Sequence, residues 1–422
     1  MGRFAVARET SKRVRLAARD KVRPRLAAWI GAFAALAGSA CSPPTPRAQA
    51  APVARSARND VPAEATAAVE SVSVRVGEQK TVLARGALGL SYFPDMAVVP
   101  IAAEPTFTLL VTATVSTYRL TGATLFDLSS AVKVLGPGAA GQFDNGYAGI
   151  SGTYRDPSGK LYAFYHAEDQ ENMPLIPGTR IPGFYARIGV ATSRDAGRSW
   201  EKLGPAISSA KPKEYLAFDG QADRGAAEPG VLLDTEGRYL YLYYDDHARV
   251  GGRGVQISVA RADLQAGPPL PGAFFKYHAG SFSEPGIGGA DSVIISGSNF
   301  DAGDAMLPHP TYSAYLQRYV MVFNIDVYRE WQNGRPATQS GFYLAYSDDA
   351  VNWSAPELLF VDNTVPVNGR SLSWEGSLVW DDERQRTGWL VYGYSESWPR
   401  PHYMVARRLE FTVVAGRQGR EK

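Results

Sequence analysis

Four segments of this chain concentrate aromatic and branched residues into strand-like runs: Leu161–Tyr165, Tyr239–Tyr244, Tyr319–Phe323 and Trp389–Tyr392. They recur at intervals of roughly 70–80 residues, and a repeat on that scale constrains a fold more tightly than composition does. Each run follows an apolar stretch and a polar turn: Asp156–Gly159, Asp234–Gly237, Ser313–Tyr315 or Asp381–Arg384. Each precedes a third strand: Ile188–Thr192, Gly254–Ser258, Phe342–Tyr346 or His402–Ala406. An outer, fourth strand fits after each. Such meanders, repeated radially, form the blades of a β-propeller. A weaker unit covers about 88–136, through Met96–Ile101, Phe107–Val111 and Tyr118–Leu120. The expectation is all-β: a five-bladed β-propeller of four-stranded antiparallel blades over residues 85–415. A large sandwich would not place the same three strands in the same order four times.

The first 40 residues do not belong to that pattern. Nine Lys and Arg within residues 1–25, followed by an apolar run from Leu26 to Ala40, read as an export signal too short to span a membrane comfortably. The single cysteine, Cys41, follows Gly38-Ser39-Ala40, which resembles a bacterial lipobox. That resemblance implies lipidation at Cys41, and Ser42 after it favours the outer membrane. Cleavage after Ala48-Gln49-Ala50 is the competing reading and gives a periplasmic or extracellular protein. Residues 41–84, rich in Pro and Ala, read as a tether and lead-in. The chain holds 44 basic and 42 acidic residues, but nine and two of these lie in the leader. The remainder is acidic, which argues against nucleic acid as a partner and leaves membrane contact to the lipid anchor. One cysteine allows no intrachain disulfide, so the core alone must hold the domain, and a monomer is expected.

In a propeller the innermost strand of each blade lines the central channel. Glu228-Pro-Gly-Val-Leu-Leu-Asp234 and Glu375-Gly-Ser-Leu-Val-Trp-Asp381 align, each with a Glu six residues before the acidic turn. The same count back from Tyr315 reaches His309, with Asp304 just upstream. Asp144 precedes the inner strand of the first strong unit, and Asp95 that of the weak one. Carboxyls gathered at a channel mouth suit glycoside hydrolysis, which needs one protonated acid and one anion acting as base or nucleophile. Glu228 is the expected acid, with Asp144 as base or nucleophile and Asp95 as its alternative. Glu375 completes the catalytic set. His309, Asp304 and Trp374 are expected to bind substrate, Trp374 by stacking on a sugar face.

The hairpin Ser193-Arg-Asp195-Ala-Gly197-Arg-Ser-Trp200 resembles the Asp box of sialidases and related propellers, and Ser347–Trp353 echoes it. In such turns Ser and Asp bond the backbone, Gly supplies positive φ, and Trp packs between sheets. Together with the Glu-Pro and Glu-Gly strand openings and a loop at Phe275–Gly289, these features resemble the five-bladed glycosidase superfamily that includes families 43, 32, 62 and 68. The likeness implies a carbohydrate substrate, an Asp base or nucleophile on the first blade, a Glu acid on a middle blade and a second Asp tuning pKa. Glu228 matches the acid. The family's Arg-Asp-Pro or Asn-Asp-Pro motif is missing, leaving Asp95 or Asp144 to stand in.

Arg180-Ile181-Pro182 matches a sialidase tripeptide whose Arg clamps a carboxylate, which keeps sialidase as a second enzyme reading. A non-catalytic glycan-binding lipoprotein is the third. No phosphate-cradling loop, H-E-x-x-H or Cys/His cluster is present, so no cofactor and no metal site is expected. A channel Ca²⁺ on Asp or Asn oxygens has no supporting motif.

Overall fold

The computed structural model describes residues 71–102, 105–175, 182–213, 223–247, 255–296, 304–326, 341–361, 372–396 and 403–414. Cys41, Arg180 and the expected leader lie outside them. Apart from a 3₁₀ turn at Ala87–Gly89, every element described is a β-strand. No helix among the described residues is long and apolar enough to cross a membrane.

The first strand, β1 (Ser71–Leu83), is followed by a meander of β2 (Val99–Ala102), β3 (Phe107–Ala113), β4 (Ser116–Gly122) and β5 (Leu128–Leu135). A second runs through β6 (Tyr147–Arg155), β7 (Leu161–Asp169), β8 (Phe184–Ser193) and β9 (Glu201–Ser208). The third contains β10 (Asp223–Leu233), β11 (Tyr239–Asp246), β12 (Gln256–Asp263) and β13 (Phe274–His278), extended by β14 (Ser281–Pro285) and β15 (Ile295–Ser296). Next come β16 (Asp304–Ser313), β17 (Arg318–Asp326), β18 (Gly341–Ser347) and β19 (Glu357–Phe360), then β20 (Leu372–Trp380), β21 (Thr387–Ser395) and β22 (Tyr403–Val414). Pairing within each meander is antiparallel. Ser71–Leu83, expected in the lead-in, instead pairs with β22 as the outermost strand of the last sheet. Its alternation of Val72, Val74 and Val76 against polar neighbours is a strand pattern that the Pro/Ala-rich stretch before it obscures.

The second strand of each meander is apolar on both faces because both faces are covered. On β11, Leu240, Leu242 and Tyr244 pack against Tyr162, Phe164 and Ile188 of the preceding meander. Tyr241 and Tyr243 pack the other way, against Met321, Phe323 and Tyr343. Val320 and Val322 meet Leu390, Tyr392 and Val405, and Ala163 and Tyr165 meet Val99 and Leu110. A further layer joins the last sheet to the first, with Val391 and Met404 against Leu109, Val111 and Leu120. Side chains that alternate between two faces account for continuous aromatic runs without helical period.

The inner strands carry one repeated irregularity. The ladders shift between Ala227 and Gly230 in β10, Met306 and His309 in β16, and Trp374 and Ser377 in β20. Each is a β-bulge, and its first extra residue is left-handed: Glu228 (φ 53°), Leu307 (φ 61°) and Glu375 (φ 59°). That conformation costs a non-glycine residue roughly 1–2 kcal/mol, so the surroundings must hold it. Beyond the bulges, adjacent inner strands touch closely. Leu378 N donates to His309 Nδ1 at 3.3 Å, and Val98 N donates to Ser377 Oγ at 2.7 Å. At the equivalent places Gly152 and Gly230 leave room, since a Cβ there would lie 2.2 Å from Val231 and from the Pro308 carbonyl oxygen.

Two hairpins close on hydrogen-bonded turns. Asp195 Oδ1 accepts from Arg198 N at 3.1 Å and Ser199 N at 2.9 Å, while Ser193 Oγ accepts from Gly197 N at 2.9 Å. Positive φ falls on Ala196 as well as Gly197. Asp349 repeats the pattern with Val351 N and Asn352 N, and Ala350 (φ 63°) takes the left-handed place without a glycine. Trp353 then packs edge-on to Tyr243 with ring centroids 5.7 Å apart. Hydrogen bonds to the charged form hold the Asp195 carboxyl well below its ordinary pKa. Asp195→Ala is therefore expected to lower unfolding free energy by about 1–3 kcal/mol in urea titrations at pH 7, with the difference shrinking as pH falls below the usual carboxyl range.

Candidate active site

The bulges bring Glu228 and Glu375 to equivalent places at the mouths of β10 and β20. Asp95, three residues before Val98, occupies the matching place before β2, because Val98 N meets Ser377 much as Leu378 N meets His309. The carboxyls of Asp95, Glu228 and Glu375 lie close enough to act on one another. Burial, then the charges of Glu228 and Asp95, push the Glu375 carboxyl well above its usual range, although Ala97 N donates to it. Burial also raises Asp95 strongly, opposed by the Tyr147 hydroxyl and reinforced by Glu168 and Glu228. Tyr147 Oη lies 3.1 Å from Asp95 Oδ2 and 2.8 Å from the Asp95 carbonyl oxygen.

The second strands supply another tier that inner-strand counting does not reach. In the ladders His166 on β7, Asp245 on β11, Asn324 on β17 and Gly393 on β21 hold equivalent registers. His166 Nδ1 accepts from the bulged Glu228 N at 3.3 Å. A neutral ring then carries its proton on Nε2, 3.2 Å from Glu168 Oε1. Gln170 Nε2 donates to the other Glu168 oxygen at 2.7 Å. As His166 reaches from β7 to the bulge of β10, Asp245 reaches from β11 to the bulge of β16, accepting from Leu307 N at 3.0 and 3.1 Å. Fully buried and hydrogen-bonded to the Glu228 carboxyl, Asp245 is pushed up chiefly by desolvation and then by the Glu228 charge. His247 lies two residues on. Among the described residues Glu228, Asp245 and His247 form the one set whose ligand atoms all fall within 4.8 Å of one another, a grouping no sequence motif announces. The available signal is the acidic termination of two apolar second strands, Ala167-Glu168-Asp169 and Tyr244-Asp245-Asp246.

Other expected residues lie elsewhere. Asp144 is buried, but its Oδ2 pairs with Lys202 Nζ at 2.5 Å and accepts from Tyr165 Oη at 3.1 Å. Tyr165 points to the face of β7 opposite His166 and Glu168, so the structure does not bring Asp144 to the cluster. Strand β16 ends at Ser313, not Tyr315, so Leu307 holds the mouth position and His309 lies two residues deeper. There it lines a lumen of about 530 Å³ with Ile101, Phe107, Thr153, Val231 and Trp380. Desolvation lowers its pKa to about 4, which keeps the ring neutral. Asp304 Oδ1 accepts from Val255 N at 2.7 Å, tying the start of β16 to β12. Trp374 is half-buried next to Glu375 and opposite Gly393.

Burial and neighbouring carboxyls both favour the protonated forms of Asp95 and Glu375, so carboxyls able to hold and pass a proton stand beside Glu228. That is the equipment of glycosidic bond cleavage.

No family model matches the chain, and no curated protein matches it. Among solved structures it is similar to a thermostable family-43 glycoside hydrolase at 14% identity, covering 77% of this chain and 90% of that one with a TM-score of 0.45. A family 117 glycoside hydrolase from Zobellia galactanivorans is similar at 13% identity, with 79% and 90% covered and a TM-score of 0.49. The endo-arabinase of Bacteroides thetaiotaomicron is similar at 10% identity, with 78% and 96% covered and a TM-score of 0.46.

Because burial raises Glu375 in the folded state, the unfolded chain releases this proton at lower pH than the folded one. Its contribution to stability is full below the ordinary value of 4.5 and is lost as pH rises through the folded value. Thermal melts from pH 4 to 8 should find Glu375→Gln gaining on wild type as pH rises. A gap that does not change with pH would contradict the assigned cause.

Proposed function

We propose that this chain is a glycoside hydrolase built on a five-bladed β-propeller, acting on a carbohydrate bound at the mouth of the central channel. The propeller reading is supported by apolar layers between consecutive meanders and between the last sheet and the first. The catalytic reading rests on one observation: Asp95, Glu228 and Glu375 sit at equivalent positions at the inner-strand mouths, where burial and the neighbouring carboxyls raise Asp95 and Glu375. Protons belong to such a group rather than to single members. Glu228 faces both Glu375 and Asp95, so we assign it the central role in acid catalysis, with Asp95 as the partner base or nucleophile. Glu375 tunes the pair. Trp374, beside Glu375, offers a ring face to a sugar.

Export belongs to the same proposal. The basic leader, its short apolar run and Cys41 support a lipid-anchored or secreted enzyme that meets its glycan outside the cytoplasm.

Assays of the protein on aryl-glycosides and polysaccharides test the assignment. Glu228→Gln and Asp95→Asn should each cut turnover by about 10²–10⁴-fold without lowering the melting temperature. Asp144→Asn should behave in the opposite way, keeping turnover while losing about 3 kcal/mol of stability as Lys202 is left without its buried partner. If Glu228→Gln binds glycan and hydrolyses it at the wild-type rate, Glu228 only ties sheets together. If no variant or wild-type protein turns over any glycan that it binds, the channel mouth is a binding site.

A further inference from the structure

We propose that the lumen lined by Thr153, His309 and Trp380 is a carbohydrate site of its own, taking a neutral pentose or hexose unit. It lies away from the carboxyl cluster. Val231 follows Glu228 by three residues along β10, and Trp380 follows Glu375 by five along β20, which is roughly 10–17 Å of strand. Ala102, Thr153 and Thr311 likewise stand at or near the far ends of β2, β6 and β16. At about 530 Å³ the lumen falls within the roughly 300–1,000 Å³ of small-molecule sites.

Its walls select the ligand. None of the sixteen lining residues is Asp, Glu, Lys or Arg, so a charged ligand finds no counterion there. Phe107, Val231 and Trp380 give an apolar wall. The indole is held in place: its Nε1 donates to Thr311 Oγ1 at 2.9 Å, and its ring packs on Phe411 with centroids 5.5 Å apart. Three polar groups also reach the lumen and have no hydrogen-bond partner on another residue among those described: the hydroxyls of Ser151 and Thr153, and Nε2 of His309. Leu378 N occupies Nδ1, so the neutral His309 ring carries its proton on Nε2 and offers a donor. A sugar lays its C–H face on an apolar wall and pairs its hydroxyls with such groups. A purely aliphatic ligand leaves all three unpaired, which opposes its binding. The inference stands on the lumen and is read without turnover, so it can fail while the hydrolase assignment survives, and the reverse.

The test uses the whole protein with 5-fluorotryptophan at its eight tryptophans, the ¹⁹F signals of Trp380 and Trp374 being assigned through Trp380→Phe and Trp374→Phe. Trp380 reports the lumen and Trp374 the mouth. Titration with D-xylose, L-arabinose, D-glucose and D-galactose should move the Trp380 signal saturably for at least one sugar, with a Kd of about 10 mM or tighter. D-Glucuronate should leave it in place. Thr153→Val keeps the shape and removes one hydroxyl. It and Ser151→Ala should each weaken that binding about 3–10-fold, while Glu228→Gln leaves it unchanged. A Trp380 signal unmoved by all four sugars, sugars that move only Trp374, or equal saturation by D-glucuronate would each overturn the proposal. So would saturation by 1-hexanol with no sugar competing. Should Thr153→Val fail to fold, Ser151→Ala and the wild-type titrations still decide the matter.

Discussion

A bulged inner strand turns a backbone amide out of its own ladder, and a buried amide needs an acceptor. In this protein the acceptor comes from the neighbouring sheet. His166 receives Glu228 N and Asp245 receives Leu307 N, while the bulged Glu375 itself reaches across to accept from Ala97 N. The bulge therefore does two things at once. It points the Glu228 and Glu375 side chains away from the regular pleat, and it locks consecutive meanders together at the mouths of their first strands. Fold and site are not separable here, because the groups that hold the strained residues are themselves ionisable and stand next to the carboxyls they position.

Asp144 and the clustered acids illustrate how environment decides role. Asp144 has a lysine and a tyrosine hydroxyl, and its charge is compensated within its own meander. Asp95, Asp245 and Glu375 have mostly each other and Glu228, so burial drives them toward the protonated form. Unpaired acids in a dry place cost stability, and the apolar layers between sheets offset that cost. Tyr165, Tyr243, Tyr244 and Tyr392 are among the largest fully buried side chains, and all belong to second strands facing those layers. Strain and charge thus collect at the mouths of β10 and β20, and close packing in the layers between sheets.

Much of this was legible in the sequence. Second strands buried on both faces must be apolar throughout, and four of them stand out as aromatic runs. Glu228 and Glu375 were legible because their strands end in the same acidic turn at the same distance. That count failed for the third strong unit, whose turn begins at Ser313 and offers no Asp to mark the phase, so His309 took the place of Leu307. Asp144 misled for a different reason: its partner Lys202 lies 58 residues away, and no local pattern reveals a long-range ion pair. His166, Glu168, Asp245 and His247 escape the reading because they sit on or just past second strands, where the apolar run distracts from the polar residues that end it. β1 escaped notice because its partner, β22, lies at the other end of the chain.

The central claim is that burial first, and the neighbouring Glu228 second, raise the Glu375 carboxyl. A ¹³C NMR titration of the Glu375 side-chain carboxyl, in wild type and in Glu228→Gln, tests it most directly. The account predicts a wild-type midpoint well above 4.5 that moves down when the Glu228 charge is removed, with a residual elevation from burial. A Glu375 midpoint that is ordinary in the wild type, or unmoved by Glu228→Gln, would contradict it.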